Sequence, residues 1–282
     1  MSGWKNDFID PVGFPFSGPT PSRRTCAWLG ALLVIFLCGP TWADTPELLD
    51  ATDRELLARL GPDIKRTPIA AIDPASLIEA FTRAQNWPFR MIEGPKQGQR
   101  TELSIHPRSQ LPGSDEPSET PLWAFEIPGV ITQYAVAAEE GLHSPLILLQ
   151  EGPLTLSYIP PDPVLLRGVG HGESKTYEMD VEVHPVSDLK DTRFTGRIQT
   201  TYTNKGSYRF ETPSRTFDGV IIATEYKGKV GPVSVNDRDL RIYSPEVGLV
   251  AMVVHDRLHA LFLIRENKFL TLLRADPVPT AK

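Results

Sequence analysis

Residues 177–184 read Tyr-Glu-Met-Asp-Val-Glu-Val-His, and this stretch decides the fold class. Tyr177, Met179, Val181 and Val183 take every second position, and Glu178, Asp180, Glu182 and His184 fill the gaps. Successive side chains of a strand point to opposite faces, so the pattern predicts a strand with one dry and one wet face. The same period recurs downstream. Residues 194–203 alternate with Ile198 and Tyr202 inward, Asn204-Lys205-Gly206 reads as a turn, and Tyr208-Arg209-Phe210 starts a return strand. Further strands are expected at residues 220–226, 240–243, 249–254, 260–264 and 269–273, with a glycine-bounded turn at 227–232. Upstream, Trp123, Phe125 and Ile127 alternate, and residues 154–159 form a short strand ended by Pro160-Pro161. Turn signals every 8–12 residues suit an antiparallel meander, and no βαβ alternation suggests a parallel sheet.

The N-terminal part reads differently. Leu48, Leu49, Leu56, Leu57 and Leu60 fall at broadly helical spacing, stopped by Gly61-Pro62. Asp73 is an N-cap and Pro74 an N1 residue for a second apolar run, Leu77, Ile78 and Phe81. Residues 44–94 are therefore expected to be helical, residues 95–121 a Pro-, Gly- and Ser-rich linker, and residues 122–282 an antiparallel β domain. The expected class is α+β, mainly an antiparallel β half-barrel or sandwich with an N-terminal helical segment.

Residues 26–39, CAWLGALLVIFLCG, are fourteen residues without a charge. That is short for a membrane span and suited to an export signal's apolar core. Arg23 and Arg24 supply the positive flank, Pro40 ends the run, and Thr41 and Ala43 fit cleavage near Ala43. The expected address is periplasmic. Twin-arginine export, lipidation at Cys38 and an uncleaved anchor are the alternatives. Both cysteines, Cys26 and Cys38, lie in this segment, so its removal leaves no thiol for a disulfide, a nucleophile or a metal. The whole chain carries a formal charge of -6; residues 1–43 hold three cations and two anions, leaving about -7 for the rest. An acidic chain with scattered lysines lacks the basic stripe that nucleic acid requires.

Motifs with chemistry are few. Gly168-Val169-Gly170-His171-Gly172 precedes a strand, whereas a dinucleotide fingerprint precedes a helix. His255 and His259 are four apart, but between strand-like runs they read as a hairpin tip, and an extended chain would hold the rings about 13 Å apart. No metal and no cofactor is expected. Glu178, Asp180 and Glu182 read as a wet face. Lys227 and Lys229, in the turn TEYKGKVGP, could meet a partner or an anionic headgroup.

Gly172-Glu173-Ser174, residues 203–208 (TNKGSY), residues 216–219 (TFDG), residues 226–232 and residues 243–253 (YSPEVGLVAMV) resemble a family of uncharacterised exported bacterial proteins with a β-rich domain. The likeness covers about a third of the chain and implies a fold but no catalytic residues. In layout these domains are similar to periplasmic lipoprotein carriers, which bend one antiparallel sheet over a hydrophobic cavity. A curved sheet with one apolar face must cover it with helices, a ligand or a protein. The expected function is therefore non-catalytic binding of a hydrophobic or lipid-like ligand or an envelope partner. Tyr177, Met179, Val181, Ile198, Tyr202, Phe210, Val220 and Ile222 are the ligand-lining candidates. The alternatives are an envelope assembly factor without a cavity and a hydrolase with a dispersed site.

Overall fold

The computed structural model describes residues 48–83, 85–150, 154–212, 215–260 and 264–275. They belong to one compact unit, Asp44–Lys282. The export segment read at residues 1–43 lies outside the described residues.

Two short helices, α1 (Ala51–Ala58) and α2 (Pro74–Phe81), flank the strand β1 (Lys65–Pro68). Twelve strands follow: β2 (Gln85–Glu93), β3 (Arg100–Arg108), β4 (Leu122–Ile127), β5 (Ile131–Ala138), β6 (Gly141–Leu149), β7 (Leu154–Leu166), β8 (Ser174–Pro185), β9 (Phe194–Glu211), β10 (Thr216–Val230), β11 (Val233–Ser244), β12 (Gly248–Ala260) and β13 (Ile264–Arg274). Each pairs antiparallel with the next, and β13 returns to β2, where Leu272 lies opposite Met91 and Arg274 opposite Phe89. The result is a closed 12-stranded up-and-down barrel. Closure removes the sheet edges that an open half-barrel or sandwich would expose.

This corrects the expected half-barrel or sandwich. The staves that close the ring come from residues read as helix end and linker. Trp87, Phe89 and Met91 do alternate, but Pro88 between them reads as a helix stop; in β2 it lies opposite Glu102 of β3. Further readings change: Pro160-Pro161 lies inside β7 rather than ending a strand, and residues 227–230 of the expected turn belong to β10. Asn204-Lys205-Gly206 is a bulge inside an unbroken β9, not a turn: Val220 pairs with Ser207 and Ile222 with Asn204. Gly206, at φ +95, takes the left-handed conformation the bulge needs. Residues 255–258 belong to the body of β12, paired with β11 and β13, rather than to a hairpin tip.

Alternation then sorts the core into an inside and an outside. Inside the ring, Trp87, Phe89, Met91, Leu103, Ile105, Phe125, Leu142, Leu165, Tyr202, Val220, Ile222 and Leu272 form one cluster. Helix α2 sits among them, touching β6 and β7 on one side and β11 and β12 across the ring. Its start follows the sequence expectation: Asp73 Oδ1 accepts the Ala75 N–H at 2.9 Å, and Pro74 occupies the first turn. Outside the ring, Leu56, Leu57 and Leu60, in and just after α1, cover Phe210, Phe217, Ile221, Ala223, Leu240, Ile242 and Val253. A third cluster places Leu111 of the β3–β4 loop on Leu122, Ala124, Tyr134 and Leu146.

The β11–β12 hairpin re-enters at Gly248, φ +73, where a Cβ would overlap the Trp87 ring. Gly248→Ala combines left-handed strain of about 1–2 kcal/mol with overpacking of about 1–3 kcal/mol. A loss of about 2–5 kcal/mol is expected, read as a lower urea midpoint with unchanged slope.

Candidate ligand site in the barrel lumen

Along β11 the inward positions change character from one end to the other. Tyr243 is fully buried beside α2, with the Phe81 ring 5.2 Å away and edge-on. Arg241, Asp239 and Asp237 follow at two-residue steps toward the opposite mouth, roughly 20 Å along the strand. Neighbouring strands repeat the change. On β10, Val220 and Ile222 give way to Thr224 and Tyr226; on β12, Met252 and Val254 give way to Asp256. One end of the lumen is therefore plugged with apolar side chains and the other is lined with polar ones.

The polar end centres on Asp162 of β7, 1% exposed. The Tyr226 hydroxyl donates to Asp162 Oδ2 at 3.0 Å, while Oδ1 has no partner among the described residues. Arg241 Nη2 meets Asp239 Oδ2 at 2.9 Å. Thr200 of β9, opposite both Tyr177 and Tyr226, is fully buried with its hydroxyl unpartnered among the described residues. Leu156, Tyr158, Tyr177, Tyr226 and Val230 form a half-buried apolar wall over Met179, Val181 and Ile198. Asp237 and Asp256 are half-buried, so exposure is graded from the mouth down to Asp162.

Burial dominates the acid–base behaviour. It pushes the Asp162 carboxyl up to about 7, against the opposing pull of Arg241 and the Tyr226 hydroxyl. Burial, with Asp239 and Asp237 nearby, pushes Asp256 up to about 7. Asp237 is pushed up to about 6 by burial, although the Arg257 N–H favours its charge. Asp239 is also raised by burial, with Arg241 opposing. The Tyr158 and Tyr226 phenols are raised by burial and stay protonated donors.

Raised carboxyls bind protons more tightly folded than unfolded, so their stabilising contribution is complete below about pH 4 and is lost as pH rises through about 6–7. The melting temperature is therefore expected to fall between about pH 5 and pH 8, and Asp162→Asn to flatten that fall. A variant as steep as the parent in a thermal-shift series would contradict this.

The structure places Tyr177, Met179, Val181, Ile198, Tyr202, Val220 and Ile222 on the luminal face. Phe210 lies in the outer cluster, stacked on Phe217 at 5.3 Å, because the bulge at residues 205–206 reverses the alternation of β9. Lys227 and Lys229 stand exposed on the outside of β10, Lys227 at 2.8 Å from Glu225. His255 stacks on Phe269 at 4.1 Å, and the His259 side chain lies outside the described residues. Sequence reading missed Asp162, Asp237, Asp239, Arg241 and Asp256. An alternation of charges at 237, 239 and 241 was present, but a wet strand face and a polar lumen look alike in one dimension.

Among the described residues no group of His, Cys, Asp and Glu converges as metal ligands do. Two open depressions lie elsewhere, one at residues 108–113 with Tyr134 and one at Pro62, Asp63, Lys65, Glu211 and Thr212. No helix among the described residues is long and apolar enough to cross a membrane. The outer wall of β8 and β9 carries charge: Glu178 and Asp180 are exposed, and Arg197 Nε meets Asp180 Oδ1 at 2.8 Å. No family model matches this chain, and neither a curated protein nor a solved structure does.

Proposed function

We propose that the protein is an exported, non-catalytic binding protein of the periplasm that takes an amphiphilic or lipid-like ligand at the polar mouth of its barrel. One observation carries the reading: an acidic, hydrogen-bonding wall and a half-buried aromatic wall meet at the same end of a lumen whose other end is plugged. Helix α2 already shelters the deep apolar surface, so a ligand has its place above it, against Leu156, Tyr158, Tyr177, Tyr226 and Val230. Buried polar atoms without partners are rare in native proteins and are normally met by water or a ligand. Export rests on Arg23, Arg24 and the apolar run 26–39, in keeping with the exported β-domain family the chain resembles.

Native mass spectrometry of protein purified from the periplasm tests this. A mass adduct released by organic extraction is expected. Protein that is mass-pure, and stays so after incubation with an envelope extract, would refute it.

A second reading has its own support. A carboxyl held near 7, such as Asp162 or Asp256, is suited to a general acid, which fits the dispersed-site hydrolase. Turnover of a chromogenic ester or glycoside by the parent, abolished in Asp162→Asn, would favour that reading over binding.

A further inference from the structure

We propose that the luminal mouth selects an organic cation, with the ammonium group of an amine-bearing amphiphile seated against Asp162; this rests on the binding reading above and narrows it to one chemical class. Charge balance comes first. Among the described residues Asp162, Asp237, Asp239 and Asp256 face this region, against Arg241 and the exposed Lys268, which lies opposite Asp256 in the β12–β13 register. Arg241 is committed to Asp239 at 2.9 Å. With Lys268 opposite Asp256, that leaves Asp162 and Asp237 as the carboxylates a visiting cation would meet.

Hydrogen-bond accounting comes second and is independent of charge. Asp162 Oδ1, an acceptor, and the Thr200 hydroxyl, a donor and an acceptor, are both buried with no partner among the described residues, as is the Arg241 Nε donor. Both flank Tyr226: its hydroxyl reaches Asp162, and its backbone lies opposite Thr200. An ammonium offers three donors and no acceptor, which suits the Asp162 and Thr200 oxygens. An anionic head would add charge to a carboxylate cluster and leave the Asp162 oxygen unmet.

The aromatic wall comes third. Tyr158 and Tyr226 add an apolar aromatic surface that accepts a hydrocarbon body, and the Tyr177 ring of the same wall already holds the Lys175 ammonium at 5.2 Å. A bare metal ion has no use for that wall, and the carboxylates do not gather as a metal set among the described residues.

Isothermal titration calorimetry with hexylamine and hexanoate, which share a body and differ in charge, tests the assignment at about pH 8 and low salt. Hexylamine is expected to bind and hexanoate not to. Asp162→Asn, whose amide oxygen still accepts from Tyr226, is expected to weaken hexylamine about tenfold or more. Thr200→Val removes the second acceptor at constant size and charge, and a several-fold loss is expected even should the Asp162 variant not fold. Glu178→Gln, on the outer wall, should leave binding unchanged. Equal binding of the two probes, no binding of hexylamine, or full affinity in both luminal variants would overturn the proposal. A neutral or anionic ligand co-purifying with the protein while hexylamine fails would sink the cation class and leave the binding reading standing. No adduct and no binding of either probe would remove both.

Discussion

Arg238→Met is expected to lower the unfolding free energy by about 3–5 kcal/mol, because it breaks a buried charge network rather than a surface pair. Arg238 lies on the outside of β11 under α1 and is 8% exposed. Its Nη2 donates to Asp50 Oδ2 at 2.8 Å and to Asp53 Oδ1, and its Nη1 donates to Glu225 Oε1 at 2.6 Å. Asp53 is fully buried, and Lys205 Nζ, at 2.8 Å, would be left as its only ion-pair partner among the described residues. Truncating one partner of such a network leaves the other charge desolvated, and that penalty sets the size of the effect.

The same contacts hold α1 in place. Asp50 caps the helix through the Asp53 N–H at 2.8 Å, so docking and capping fail together. Burial works to raise the Asp50 carboxyl, yet the Asp53 N–H, Arg238 and Lys205 outweigh it and hold it down at about 2. Its contribution is therefore complete above about pH 4 and is lost only as pH falls toward 2, opposite in sense to the luminal carboxyls. Stability is expected to peak between those limits. Urea titration gives the loss for Arg238→Met. Adding Asp53→Asn to it should recover part of that loss, and a double variant no more stable than Arg238→Met would refute the buried-charge explanation.

Phe81→Ala should cost about 3–5 kcal/mol by opening a cavity in the plugged end. Phe81 is 3% exposed and stacks on Phe125 at 4.3 Å with planes 3° apart. It also meets Tyr243 edge-on at 5.2 Å and Trp87 at 6.1 Å. These rings come from α2, β4, β11 and β2, so the loss is spread around the ring and local collapse is limited. Equilibrium denaturation should show a large drop in midpoint, and a bound apolar probe such as benzene should recover some of it. A loss under about 1 kcal/mol would mean that α2 is not integral to the core.

Much of the fold was legible from alternation. Residues 177–184, 194–203 and 220–226 are strands with the inward faces their spacing implies, because burial on one side of a sheet imposes period two. Asp73 and Pro74 start α2 for local reasons, a side-chain acceptor for an orphan N–H and a preset φ, and these needed no tertiary context.

Other features are decided only in three dimensions. Closure of the ring depends on β13 meeting β2 across roughly 180 residues of chain, a pairing with no local signature. Phe210 turns outward because a bulge at residues 205–206 reverses the parity of β9, and one sequence cannot tell a bulge from a turn when both ask for Asn and Gly. The luminal carboxylates were invisible for the same reason: alternation says that two faces differ, not which one encloses the other. Charges at Asp237, Asp239 and Arg241 become a buried site only when the sheet closes around them, since desolvation is set by everything that surrounds a group and not by its neighbours in the chain.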